Sequence, residues 1–164
     1  MPVNLELKVK INSIKKLEKL AKTASAEFKG VLKQKDVYFK NKKGLLKLRI
    51  ENGACCLIKY LRDEKGKRWS NYEILKLEGK NIEEYLKDIL AVEVVVEKNR
   101  KLYVYKDTRI HLDEVKNLGK FLELETVVTK NKNHAEKEFY EVVKMLNLDL
   151  TKQIKASYRN LLAK

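Results

Sequence analysis

Basic side chains recur at every second position in three separate stretches of this chain, as Lys8 and Lys10, Lys47 and Arg49, and Lys98 and Arg100. Two carboxylates, Glu123 and Glu125, repeat the same spacing elsewhere, and Glu6 stands two residues before Lys8. A spacing of two puts both members of a pair on one face of a β-strand. Convergent cations of this kind suit a polyanion. Unpaired charges cannot face a dry core, where each would cost several kcal/mol. The faces therefore either look into solvent or line a water- and ligand-filled tunnel. Faces turned to solvent would mix charge signs freely. Here the signs are sorted by strand, cations in some and Glu6, Glu123 and Glu125 in others, which favours one shared polar cavity.

The elements that carry these residues are mostly short strands. Asn4 to Ile11 alternates strictly, with Leu5, Leu7, Val9 and Ile11 opposite Asn4, Glu6, Lys8 and Lys10. Ser13 caps a predicted helix through Ile14, Leu17, Leu20, Ala21, Ala24 and Phe28, with Gly30 just past its end. Strands are predicted at Gln34–Phe39, Leu45–Glu51, Cys56–Arg62 and Arg68–Ile74, with a hairpin turn at Asn52-Gly53 and another turn at Asp63–Lys67. A short helix from Asn81, with Glu84 placed for a capping box, carries Ile82, Tyr85, Leu86, Ile89 and Leu90. Strands then follow through Val94–Arg100, Leu102–Tyr105, Thr108–Val115 and Phe121–Val128, and helices through Ala135–Leu146 and Ser157–Leu162. Eight or so antiparallel strands with turns at regular spacing predict an α+β fold built on a closed barrel.

A length of 164 residues suits a single domain spanning 1–164. Lys and Arg outnumber Asp and Glu by 37 to 23, a formal charge of +14, which implies either a polyanionic partner or a lysine-rich solvated surface. No apolar run approaches the ~20 residues of a membrane span and no signal segment opens the chain, so a cytoplasmic protein with no membrane partner is expected. Cys55 and Cys56 are adjacent and indicate neither a disulfide framework nor a zinc site.

Eight motifs in order, from residue 4 to residue 162, resemble the CYTH domain of the triphosphate tunnel metalloenzymes. They are Asn4-Leu5-Glu6-Leu7-Lys8, the Gln34–Phe39 and Gly44–Arg49 segments, Arg68-x-Ser70-x-Tyr72, Lys98-x-Arg100, the Thr108–Val115 and Leu118–Glu125 segments, and a terminal Ser157-Tyr158 element. The opening differs from the family's ExExK signature in having Asn4 for the first Glu. That opening, together with His111-Leu112-Asp113-Glu114-Val115, is most similar to the class IV adenylyl cyclase-like subgroup.

The resemblance implies an eight-stranded antiparallel tunnel with flanking helices that binds a triphosphate and Mg²⁺ or Mn²⁺. It implies Lys8, Lys47, Arg49, Lys98 and Arg100 as phosphate binders, with Lys59 and Arg62 as further candidates. Glu6, Glu123 and Glu125 become metal ligands, Asp113 a further ligand or an orienting partner, and Glu6 and Lys8 participants in catalysis. The chemistry is consistent, since Arg holds phosphate oxygens bidentately and hard divalent ions prefer carboxylate oxygens. Two reactions are implied: conversion of ATP to cyclic AMP and pyrophosphate, or hydrolysis of tripolyphosphate, a nucleotide or thiamine triphosphate. Asn4 tilts toward the first, which needs no positioned water. A non-catalytic RNA or polyphosphate module is the reading from another class. It predicts basic residues over an outer face with exposed aromatics, and it leaves Glu123 and Glu125 unexplained. Monomer and homodimer are both compatible with the sequence.

Overall fold

The computed structural model describes residues 2–62 and 69–164, and of Arg62 the backbone alone. The predicted turn at Asp63–Lys67 and the motif residue Arg68 lie outside the described residues. The elements run β1 (Val3–Lys10), α1 (Ile14–Thr23), β2 (Glu27–Phe39), β3 (Leu45–Glu51), β4 (Ala54–Arg62), β5 (Trp69–Leu77), α2 (Ile82–Ile89), β6 (Val92–Tyr105), β7 (Thr108–Val115), β8 (Gly119–Val127), α3 (Lys132–Met145) and α4 (Tyr158–Leu162). The strands close into one barrel in the order β1-β5-β4-β3-β2-β6-β7-β8, each pair antiparallel.

Alternation in β1 explains why the barrel is polar inside. Leu5, Leu7 and Val9 leave its outer surface and pack with Ile110, Leu112, Leu122 and Leu124 of β7 and β8 under Leu17 and Ala21 of α1 and Phe139, Val142 and Val143 of α3. Each such fully buried aliphatic contributes about 1.5–3 kcal/mol. The hydrophobic core thus lies outside the barrel, between wall and helices. A second cluster seats Leu86 of α2 on Val37, Phe39 and Leu48. At one end of the barrel Tyr38, Val96, Val115, Phe121 and Tyr158 form a third.

Three local expectations are corrected. α1 ends at Thr23 rather than running to Phe28. Ser25 takes the left-handed conformation at φ 61°, Ser25 N–H donates to Lys22 O and Ala26 N–H to Ala21 O, which is a Schellman ending made with serine instead of glycine. Phe28 belongs to β2, where Gly30 at φ 130° marks a bulge. α2 has no capping box, because Asn81 is itself left-handed and its side chain makes no cap. Tyr85 and Ile89 lie on the exposed side of that helix. The two segments read as Val94–Arg100 and Leu102–Tyr105 are one continuous strand, β6.

Candidate tunnel site

The inward faces meet around a cavity of about 310 Å³ lined by Glu6 and Lys8 of β1, Lys47 and Arg49 of β3, Lys98 and Arg100 of β6, Arg109 and His111 of β7, and Glu123 and Glu125 of β8. All the inward cations and carboxylates sort into two halves.

On the cationic half, Asp36 of β2 is the organising residue. Its carboxylate accepts from Arg49 Nε and Nη2 at 2.8 and 2.7 Å and from Lys47 Nζ at 2.9 Å, and Lys98 Nζ lies 3.7 Å away. Burial pushes the Asp36 carboxyl up, but Arg49, Lys47 and Lys98 overrule it and hold it well below the usual range. Lys98 shows the converse. Burial, reinforced by Arg100 and Arg49 and only partly offset by Asp36, pushes its ammonium down to about 7. Lys47 is further steered by the rings of Tyr38 and Tyr60, whose centroids lie 5.3 and 5.6 Å from Nζ. Glu51, bonded by Gln34, completes this side.

The other half is richer in carboxylates. Asp113 is fully buried, accepts from Arg100 Nε and Nη2 at 2.7 Å each, and receives the Tyr158 hydroxyl at 2.8 Å. Arg100 Nη2 also reaches Glu123 at 3.2 Å. Burial raises the Glu123 carboxyl, but Lys8, Arg100 and Lys98 prevail and hold it well below the usual range. Glu125 accepts from Arg109 Nη2 at 2.9 Å and from the Asn4 amide. Lys8 donates to the Ala156 carbonyl at 2.9 Å and stands 4.1 Å from the Tyr158 ring centroid, so the chain just before α4 holds the first-strand lysine. Burial, then Arg100, keeps His111 neutral, and its Nδ1 has no hydrogen-bond partner.

The oxygen donors fit a hard divalent cation. Glu6 and Glu125 are direct cross-strand partners in the β1–β8 ladder, a placement that is unfavourable for like charges unless something lies between them. The buried Asn4 Oδ1 has no hydrogen-bond partner either. Hard ions take a few carboxylates and keep waters. The three tunnel glutamates do not form a tight trio as they stand. Among the described residues, the one group of three with ligand atoms within 4.8 Å of one another is Asp107, His134 and Glu138, outside the tunnel. There Glu138 accepts from Asp107 N–H and Thr108 Oγ1, fastening the β6–β7 turn to α3.

Most residues singled out by spacing therefore converge: Glu6, Lys8, Lys47, Arg49, Lys98, Arg100, Glu123 and Glu125. Lys59 does not. It points outward and pairs with Glu73 at 2.9 Å, both side chains exposed, because Ile58 and Tyr60 take the inward positions of β4. Arg62 pairs with Ser70 through the ladder, and its side chain lies outside the described residues. Asp113 is engaged by Arg100 and Tyr158. Asp36 and Arg109 were absent from the candidate set. The Asp36 signal was its alternation with Gln34 and Tyr38, and that of Arg109 its shared face with His111.

A closed eight-stranded antiparallel barrel with this interior is the triphosphate tunnel fold. The chain belongs to the CYTH domain family, whose model matches residues 3–158, and members of that family process triphosphates with a divalent metal. A Methanocaldococcus jannaschii protein that carries a provisional adenylate cyclase name is 27% identical over 172 residues, covering 97% of this chain and 98% of that one. The PH1012 protein of Pyrococcus horikoshii superposes with a TM-score of 0.83 at 24% identity, over 96% of this chain and 98% of that one. A Hippeastrum protein described as an adenylyl cyclase candidate with a dominant triphosphatase activity has a TM-score of 0.66 at 14% identity, over 98% of this chain and 94% of that one. No helix among the described residues is long and apolar enough to cross a membrane.

Proposed function

We propose that this chain is a divalent-metal-dependent enzyme that processes a triphosphate in its tunnel, converting ATP to cyclic AMP and pyrophosphate. The observation that carries the reading is the gathering of Lys47, Arg49 and Lys98 on the single carboxylate of Asp36. A triphosphate brings roughly four negative charges to such a place. Asp36 and Asp113 each bind Nε and Nη2 of one arginine, which orients Arg49 and Arg100 and leaves Nη1 of both for phosphate oxygens. Lys8, held by the Ala156 carbonyl and the Tyr158 ring, stabilises charge that develops on the leaving pyrophosphate. Glu6, Glu123 and Glu125 would hold the ion, which supplies charge neutralisation and polarisation of the phosphorus under attack. Leu32, Ile74 and Leu102 give the cavity an aliphatic wall beside its charges, suited to a nucleoside and of no use to bare tripolyphosphate.

Hydrolysis by an attacking water is the second reading, supported by the triphosphatase activity of the Hippeastrum protein of the same fold. Both are tested by incubating the protein with Mn²⁺ or Mg²⁺ and, separately, ATP, tripolyphosphate and thiamine triphosphate. Cyclic AMP with matching pyrophosphate is the expected result. Orthophosphate alone would replace cyclisation with hydrolysis, and no product from any substrate would sink both.

A further inference from the structure

The tunnel leaves the charge of this protein unexplained. Among the described residues its six cations, Lys8, Lys47, Arg49, Lys98, Arg100 and Arg109, are matched by six carboxylates, Glu6, Asp36, Glu51, Asp113, Glu123 and Glu125. These twelve residues contribute nothing to the formal excess of +14.

Part of it is organised. Between the stretches that α1 and α2 cover, the outer faces of β2, β6 and β7 are open, and two concavities of about 760 and 410 Å³ lie there. They share Asn99, Glu114 and Lys120, so they form one trough, and the larger part alone exceeds the tunnel. Of its lysines, Lys35, Lys101 and Lys116 are held by Glu83, Glu18 and Glu97. Lys15, Lys33 and Lys120 are exposed and make no ion pair among the described residues. At the α1 end an aromatic ring is also exposed. Phe28 is 49% accessible, packs against Tyr103 with ring centroids 5.0 Å apart and planes tilted by 45°, and faces outward beside Val31, which is 50% accessible.

Free lysines along a groove, with an exposed ring at one end, match single-stranded nucleic acid, whose phosphates need spaced cations and whose bases stack on aromatic faces. We propose that the trough between α1 and α2 binds single-stranded RNA or DNA, with Lys15, Lys33 and Lys120 on phosphates and Phe28 under a base. The proposed contacts, Lys15, Lys33, Lys120 and Phe28, are not tunnel residues, although Gln34 and Lys98 line both the trough and the tunnel, and the site does not depend on which triphosphate the tunnel processes.

The test uses fluorescence anisotropy with a labelled oligouridine of about 12 nucleotides bearing a 5′-hydroxyl, in saturating tripolyphosphate to fill the tunnel. Binding should persist under those conditions and weaken linearly with log salt. Replacing the three lysines together (Lys15→Gln, Lys33→Gln, Lys120→Gln) should lower affinity about a hundredfold at roughly 0.1 M salt and cut the salt slope by about 2, at about 0.7 per phosphate contact. Tripolyphosphate affinity should stay unchanged in that variant. Phe28→Ala should weaken oligouridine binding at least about fivefold and leave binding of long-chain inorganic polyphosphate as it was. The proposal is overturned by absence of binding, by displacement with tripolyphosphate, by a triple variant that binds as the parent does, or by a Phe28→Ala variant with undiminished affinity.

Discussion

Lys98 makes triphosphate binding a proton-linked event. Its ammonium, ordinarily near 10.5, is brought to about 7 by burial and by Arg100 and Arg49, a displacement on the order of 5 kcal/mol at about 1.4 kcal/mol per pH unit. Above pH 7 the unliganded protein therefore holds Lys98 largely neutral. A bound polyanion favours the charged form and raises its pKa, so binding above pH 7 takes up a proton and affinity falls as pH rises. The limit is tenfold per pH unit, or up to about a hundredfold between pH 7 and 9. Calorimetry of a non-hydrolysable imidotriphosphate, without divalent metal and in two buffers of different ionisation enthalpy, reads the uptake directly. At pH 8.5 it should approach about one proton per ligand in the parent and lose that proton in Lys98→Met. The ligand's own titration is common to both proteins and cancels. Equal uptake by parent and variant would refute the argument.

Three other outcomes are expected. The double replacement Glu123→Gln, Glu125→Gln should abolish metal-dependent turnover, by at least about 10²-fold, while the circular dichroism spectrum and melting transition stay cooperative; turnover that survives would sink the ligand assignment. Asp36→Asn leaves Lys47, Arg49 and Lys98 facing one another and should cost roughly 3–5 kcal/mol by urea unfolding. Because the Asp36 carboxyl is depressed in the fold, its stabilisation is present above its ordinary value near 3.8 and is lost as pH falls through the folded value, so the variant should also show a shallower acid decline. Lys59→Ala should leave kcat/KM within about twofold, as expected of an exposed pair worth at most ~1 kcal/mol; a tenfold loss would return Lys59 to the substrate path.

How far the sequence could be read depended on contrast between strand faces. β1 and β7 each set polar against apolar residues, so the inward placement of Glu6, Lys8 and His111 followed from alternation alone. β4 has no such contrast. Cys56, Ile58 and Tyr60 on one face and Leu57, Lys59 and Leu61 on the other are both largely apolar, and Lys59 was drawn inward by its charge. The two-residue turn at Asn52-Gly53 held the missing information, because the Arg49–Cys56 and Lys47–Ile58 pairs put Ile58 inside and Lys59 out. The roles of Asp36 and Asp113 could not be read locally at all. Each is set by an arginine 13 positions away, across a strand pair whose register tertiary packing decides.

The barrel closes where β1 meets β8, and the Asn4–Glu125 contact across that seam joins residues 121 positions apart. Such a contact is among the last that loop-closure entropy allows to form, so folding should be slow and limited by this zipping step. Glu6, Lys8, Glu123 and Glu125 lie along the same seam. A cation or polyphosphate engaging both edges at once would act on the half-open barrel as well as on the finished one, stabilising the closed form by mass action. Refolding experiments with and without Mn²⁺ and tripolyphosphate would then show ligand in the folding limb of the chevron, making the tunnel's contents a participant in its own construction.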